Sequence, residues 1–179
     1  MKNIEVNSAY IARCQRQLKK WNAPLDGWYC DDVIDIEEEN SSDSLYTCEL
    51  CGCSRVRFVH VMHHDDYFED IKVGCICAGI MEGDVLASKE RERLMKNRAK
   101  RRSNFPNRKW KENRYGGFSL KYQDNWVNIQ QSRFNQNHYG VSCNGKSIWK
   151  HKGRPITSFL AATYAAFDLV DPVERIYEL

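Results

Sequence analysis

The sequence predicts an α+β protein: a cysteine-rich module of strands and helix, then a small antiparallel β-sheet packed by one C-terminal helix. Three observations carry that reading. Short runs rich in β-branched and aromatic residues alternate in polarity, as half-buried strands do. Four cysteines stand as two close pairs, Cys48 with Cys51 and Cys75 with Cys77. The stretch Thr157 to Val170 is Ala-rich, carries no Lys or Arg, and is closed off by Pro172. At 179 residues and 42% hydrophobic content, the chain can bury a core in one ordinary domain or two small ones.

Taken in order, Asn7 to Trp21 reads as an amphipathic helix. Tyr10, Ile11, Cys14, Leu18 and Trp21 recur at helical spacing, with Asn7 or Ser8 as cap. Residues 37–44 (EEENSSDS) read as an acidic loop. Val56 to Met62 (VRFVHVM) reads as a strand with Ile71 to Ile76 as its hairpin partner. From Ala78 the pattern turns helical and should stop before Phe105-Pro106. Phe118 to Tyr122, Trp126 to Phe134 and Tyr139 to Cys143 read as strands, and Ser147 to Lys152 as a fourth. Thr157 caps the last helix. The expected organisation is an N-terminal helix and acidic loop over 1–45 and a cysteine-rich finger with a basic helix over 46–103. A basic linker over 104–116 and a sheet-plus-helix domain over 117–179 follow.

The cysteine spacing points to a metal. Zinc takes four soft or borderline ligands at short range, and the tight turn Cys48-Glu-Leu-Cys51-Gly52 presents two sulfurs to one point. On an extended segment Cys75 and Cys77 point to one side and can complete the set. His60 or Cys53 could stand in for Cys75. Four protein ligands leave no open position, so the zinc would be structural. No apolar run suits a signal peptide or a membrane span, so the expected compartment is the cytoplasm, where thiols hold metal more often than each other. Cys14, Cys30 and Cys143 are isolated and read as small buried residues.

The residues CELCG (48–52), followed by Val73, Gly74 and Cys77, resemble a group of bacterial and phage proteins of the CELCG…VGxxC type. That resemblance implies a treble-clef zinc finger: a knuckle, a hairpin, and ligands at a helix start. The chain departs from it in having Cys-x-Cys where Cys-x-x-Cys is usual. Farther on, Tyr139-Gly140-Val141 and Thr157 through Asp168 look like the AP2 and integrase arm-binding domains. That likeness implies a sheet that enters a DNA groove with a helix bracing it from behind.

Charge is strongly polarised. Residues 26–49 carry nine acids and no Lys or Arg, whereas residues 89–114 carry twelve Lys and Arg against three acids. A run that repels itself this way is relieved by a polyanion, which releases the counterions of both. The expected nucleic-acid contacts are Arg98, Lys100, Arg101, Arg102, Arg108, Lys109 and Lys111. Lys121, Arg133, Lys150 and Lys152 join them on the sheet domain, among aromatics suited to stacking. The sequence thus reads as a non-catalytic, zinc-stabilised nucleic-acid-binding protein, with DNA favoured over RNA. A protein-interaction factor such as an inhibitor or adaptor is the alternative. His60, His63, His64, Asp65 and Asp66 raise an HNH-type nuclease as a third reading, but the following helix has neither Asn nor His before Asn97. No phosphate-binding loop, nucleophile elbow or dinucleotide fingerprint is present, and no small-molecule substrate is implied.

Overall fold

The computed structural model describes residues 6–39 and 45–173. The chain divides into two compact units, 1–96 and 97–179. Of the acidic loop expected over 37–44, residues 37–39 instead belong to a helical turn, and 40–44 lie outside the described residues.

In the first unit, helix α1 (Ser8–Lys20) starts where the Asn7 side chain accepts from the Ala9 amide at 2.9 Å. Its inner face buries Cys14 and Leu18. Full burial of a leucine stabilises by roughly 1.5–3 kcal/mol. Strand β1 (Tyr29–Asp35) and a single helical turn α2 (Ile36–Glu39) follow, then β2 (Phe58–His63) and β3 (Ile71–Val73). These strands form an antiparallel sheet in the order β1-β2-β3. β2 is central, and five of its six residues are buried.

β1 has no counterpart in the sequence reading, because Tyr-Cys-Asp-Asp-Val-Ile-Asp has poor strand propensity. Pairing overrides that. Asp31 and Asp32 stand exposed at an irregularity in the register, while Asp35 is buried against Arg57 in two hydrogen bonds of 2.9 Å. Helix α3 (Cys75–Glu82) begins three residues earlier than expected, directly after Gly74. A separate helix α4 (Val85–Asn104) follows, with Asp84 Oδ1 accepting from the Ala87 amide at 2.9 Å. The division between the units falls within α4.

The second unit has its own core. The residues expected to be a linker instead form a 3-10 turn (Phe105–Asn107) and strand β4 (Lys111–Glu112). Phe105 is fully buried there, in edge contact with Trp110, Tyr122 and Phe167 at centroid distances of 5.1–5.6 Å. An aromatic with that much surface to hide draws its segment into the fold. Strands β5 (Phe118–Tyr122), β6 (Asn125–Gln131), β7 (Tyr139–Cys143) and β8 (Lys146–Ile148) complete an antiparallel meander, β4-β5-β6-β7-β8. The expected fourth strand is split at Trp149, beyond which β9 (Lys150–His151) pairs with β10 (Arg154–Pro155) as a separate ribbon. Helix α5 (Phe159–Val170) is capped by Ser158 rather than Thr157, the Ser158 hydroxyl accepting from the Ala161 amide at 3.0 Å.

The alanines explain the packing of α5. Ala162, Ala165 and Ala166 let the helix approach one face of the sheet closely, where Leu120, Tyr122, Val127, Ile129, Val141 and Cys143 meet it. The other face of the meander is not covered by α5.

Candidate metal centre and basic sheet face

Three sulfurs converge in the first unit. Sγ of Cys48, Cys51 and Cys77 all lie within 4.8 Å of one another, with Cys48 and Cys77 buried. This cluster could hold a metal ion. Each sulfur owes its place to local backbone. In the knuckle, the Gly52 amide donates to the Cys48 carbonyl at 2.9 Å and the Cys48 amide to the Cys53 carbonyl at 2.8 Å. A bridge between Tyr46 and Val56 closes the loop around it. The Gly74 amide donates to Cys48 Sγ at 3.4 Å, tying the knuckle to the start of α3. Cys77 stands in the first turn of that helix.

A fourth sulfur arrives from α1. Cys14 is fully buried, and its Sγ lies 4.0 Å from that of Cys77. Two thiolates on one tetrahedral zinc at 2.3 Å stand roughly 3.8 Å apart. Cys14 approaches that spacing toward Cys77 alone, since the group of sulfurs within 4.8 Å of one another holds only Cys48, Cys51 and Cys77. The Tyr10 hydroxyl, one helical turn before Cys14, is 3.1 Å from Cys77 Sγ. Crowding shows in the acidities. The Cys77 thiol is pushed up chiefly by its contact with Cys14, and that of Cys48 by its contact with Cys77 and then by burial.

Cys75 does not join this group, which corrects the sequence-based assignment. The pairing of Cys75 with Cys77 assumed an extended segment. Both residues are helical, and residues two apart on an α-helix point roughly 200° apart. Cys75 lies instead with His60 and Glu92. Cys53, the other stand-in, has an exposed side chain. At the hairpin tip, His63 Nδ1 meets Asp70 Oδ1 at 2.7 Å, and His64 Nδ1 accepts from the Asp66 amide at 2.9 Å. Those contacts tie the tip to itself.

The basic residues separate into two sets. Arg98, expected on a nucleic-acid surface, is only 2% exposed. Its guanidinium donates to the Asp171 carbonyl at 2.8 Å and to Asp168 Oδ1 at 2.7 Å. Arg101 donates to Asp171 at 2.8 Å, and Arg102 to Asp168 at 3.1 Å while lying over the Tyr164 ring. His151 Nε2 is 2.8 Å from Asp168 Oδ2. The arginine run is therefore largely engaged inside the second unit, on the C-terminal end of α5, where helix carbonyls also favour cations. Only the carboxylates of α5 could have announced this in the sequence. Lys100 remains exposed.

The second set surrounds the open sheet face. Strand register puts Lys121 opposite Trp126, and aligns Lys111, Ser119, Asn128, Ser142 and Ser147 across the five strands. A concavity beside them is lined by Arg108, Lys109, Lys111, Lys121 and Trp126. Lys109, Lys111 and Lys121 make no ion pair among the described residues, whereas Arg108 lies over the Tyr122 ring at 4.6 Å. Trp126 is 58% exposed. At the other end, Arg133, Phe134 and Trp149 line a second concavity. Gly140 leaves room there: a Cβ on it would fall 2.7 Å from the Trp149 ring, which lies across the strand. Lys150 and Lys152 belong to the β9–β10 ribbon instead.

No family, curated protein or solved structure matches this chain. No helix of the described residues is long and apolar enough to cross a membrane. The functional reading therefore rests on the two sites themselves.

Proposed function

We propose that the protein is a non-catalytic nucleic-acid-binding protein, in which a structural zinc ion organises the first unit and the open sheet face of the second grips the polyanion. The zinc ligands in this reading are Cys14, Cys48, Cys51 and Cys77, a closed all-thiolate set that leaves no position for chemistry. Knuckle, hairpin β2–β3 and a ligand in the first turn of α3 follow one another as in a treble-clef finger. DNA is favoured over RNA, because a sheet presented by a bracing helix suits a major groove, whereas the deep, narrow groove of duplex RNA is closed to side chains.

One observation carries the nucleic-acid reading. Lys109, Lys111 and Lys121 surround a half-exposed tryptophan on a sheet face rich in Ser, Asn and Gln, while Arg98, Arg101 and Arg102 are paired with acids. Lysines set out this way neutralise phosphate, the polar ladder reaches base edges, and indole rings stack.

Fluorescence anisotropy with labelled duplex DNA, single-stranded DNA and duplex RNA, across a salt series, tests it. Affinity should fall steeply with salt. In the triple variant Lys109→Gln, Lys111→Gln, Lys121→Gln the log–log salt slope should shrink by about 0.9 for each phosphate of duplex DNA that is no longer neutralised. Unchanged binding by that variant, or no binding to any of the three, would remove the reading.

A further inference from the structure

His60, in the middle of β2, is 0% exposed, yet its Nε2 has no hydrogen-bond partner. An orphaned polar atom at such depth is costly, on the order of 1–3 kcal/mol. It does not point at apolar side chains alone. A ring nitrogen of His60, Cys75 Sγ and a carboxylate oxygen of Glu92 all lie within 4.8 Å of one another. Glu92 Oε2 is 3.8 Å from Nε2, beyond hydrogen-bond reach. Three donors of three kinds, from β2, α3 and α4, thus face a common point without satisfying each other.

The neighbours of this trio prepare it for a cation. On the far side of the imidazole, Cys30 Sγ sits 3.8 Å from Nδ1. The Cys30 thiol donates to the Asp32 carbonyl at 3.3 Å, so its sulfur is left to accept the Nδ1 proton. Nδ1 thus has a neighbour of its own, and Nε2 is the ring nitrogen left facing the trio, the arrangement in which a histidine ligates metal. Lys96 Nζ lies 2.5 Å from Glu92 Oε1, holding that oxygen and turning Oε2 toward His60. Gly79 lets α4 lie tight on α3: a Cβ there would come within 2.5 Å of the Val85 backbone. That contact brings Glu92 to Cys75.

We propose that His60, Cys75 and Glu92 form a second divalent-metal site, distinct from the four-cysteine centre and suited to zinc. Imidazole, thiolate and carboxylate together make a borderline donor set, and the two anionic ligands balance a dication. Donors bound at 2.0–2.3 Å around a tetrahedral ion stand roughly 3.3–3.8 Å apart, so the trio closes on the ion by small side-chain movements. Three protein ligands leave the fourth position to solvent, on the side where Cys75 and Glu92 are partly exposed. Sequence reading could not find this site, because its ligands follow no short spacing.

The test is metal content of the full reduced chain, reconstituted with excess zinc and freed of loose metal by gel filtration. The wild type should hold two zinc ions. His60→Ala and Glu92→Gln should each hold one, and Cys48→Ser should lower the other. Glu92 is partly exposed, so Glu92→Gln gives the same readout should His60→Ala fail to fold. In the cobalt-substituted protein, Cys75→Ser should remove part of the thiolate-to-cobalt charge-transfer absorbance. A single ion abolished by Cys48→Ser overturns the second site and leaves the first. A single ion lost in Glu92→Gln but kept in Cys48→Ser upholds the second site and removes the first. Two ions retained in both His60→Ala and Glu92→Gln, or none in the wild type, overturn the proposal.

Discussion

In the proposed zinc set Cys14 takes the place that the sequence reading gave Cys75, and one backbone detail sets Cys75 apart from the other sulfurs. A cysteine pair two residues apart can share an ion only if the backbone is extended, and Gly74 starts a helix instead. The vacated place has a sulfur beside it from α1, far upstream, where no spacing rule reaches. The knuckle of Cys48 and Cys51 was legible because one tight turn sets both sulfurs. A sulfur delivered by tertiary packing was not. Cys14→Ser should therefore weaken zinc retention by more than about 10-fold in a chelator competition. Equal retention by Cys14→Ser and wild type would return Cys14 to the plain core role that its spacing suggested.

Among elements, α5 matches its reading as a packing helix but carries a contact that the reading did not include. Its lack of Lys and Arg, with its run of alanines, marks a packing helix, and its apolar face does pack on the sheet. Its last turn has a second task. Asp168 gathers Arg98, Arg102 and His151, and Asp171 takes Arg101. Arg98→Met should destabilise the second unit by about 3 kcal/mol in urea unfolding, because it removes one partner of a buried pair. Burial works against ionising Asp168, yet His151, Arg102 and Arg98 together hold its carboxyl well below the usual range. A depressed folded value contributes stability that is complete above the unfolded value of about 3.9 and is lost as pH falls toward the folded one. Acid unfolding of the wild type should thus steepen below about pH 4. Asp168→Asn should start less stable at neutral pH and show a flatter acid limb. The hydrophobic patterns of α1, β5, β6, β7 and α5 were readable because each element buries one face, and that of β2 because it is rich in β-branched and apolar residues. β1 was not, since it forms by pairing with β2 despite its aspartates.

For the molecule as a whole, two separate cores imply two separate sensitivities. The core of the first unit contains Cys14, Cys48 and Cys77 themselves, so the proposed ligands and the core share side chains. Structural zinc can contribute on the order of 10 kcal/mol to such a unit. The second unit is built around Phe105, Phe167 and the sheet, without any of these cysteines. A strong chelator should abolish the near-ultraviolet dichroism of the first unit and expose it to protease. A fragment beginning close to residue 97 should survive. Loss of both units together would show that they unfold as one. The proposed division of labour follows the same line, with metal on one side and phosphate recognition on the other.

The contact between Cys14 and Cys77 spans 63 residues. On the ribosome, α1 emerges long before the sulfur it meets, and joining ends so far apart carries a loop-closure entropy that grows with the logarithm of the intervening length. The nascent chain carries the amphipathic α1 with Cys14 short of this neighbour until residue 77 has cleared the exit tunnel. Under the proposed zinc reading, capture of the ion by the complete set of sulfurs would then be a late event in biogenesis, one that seals the first unit after most of its chain has been made.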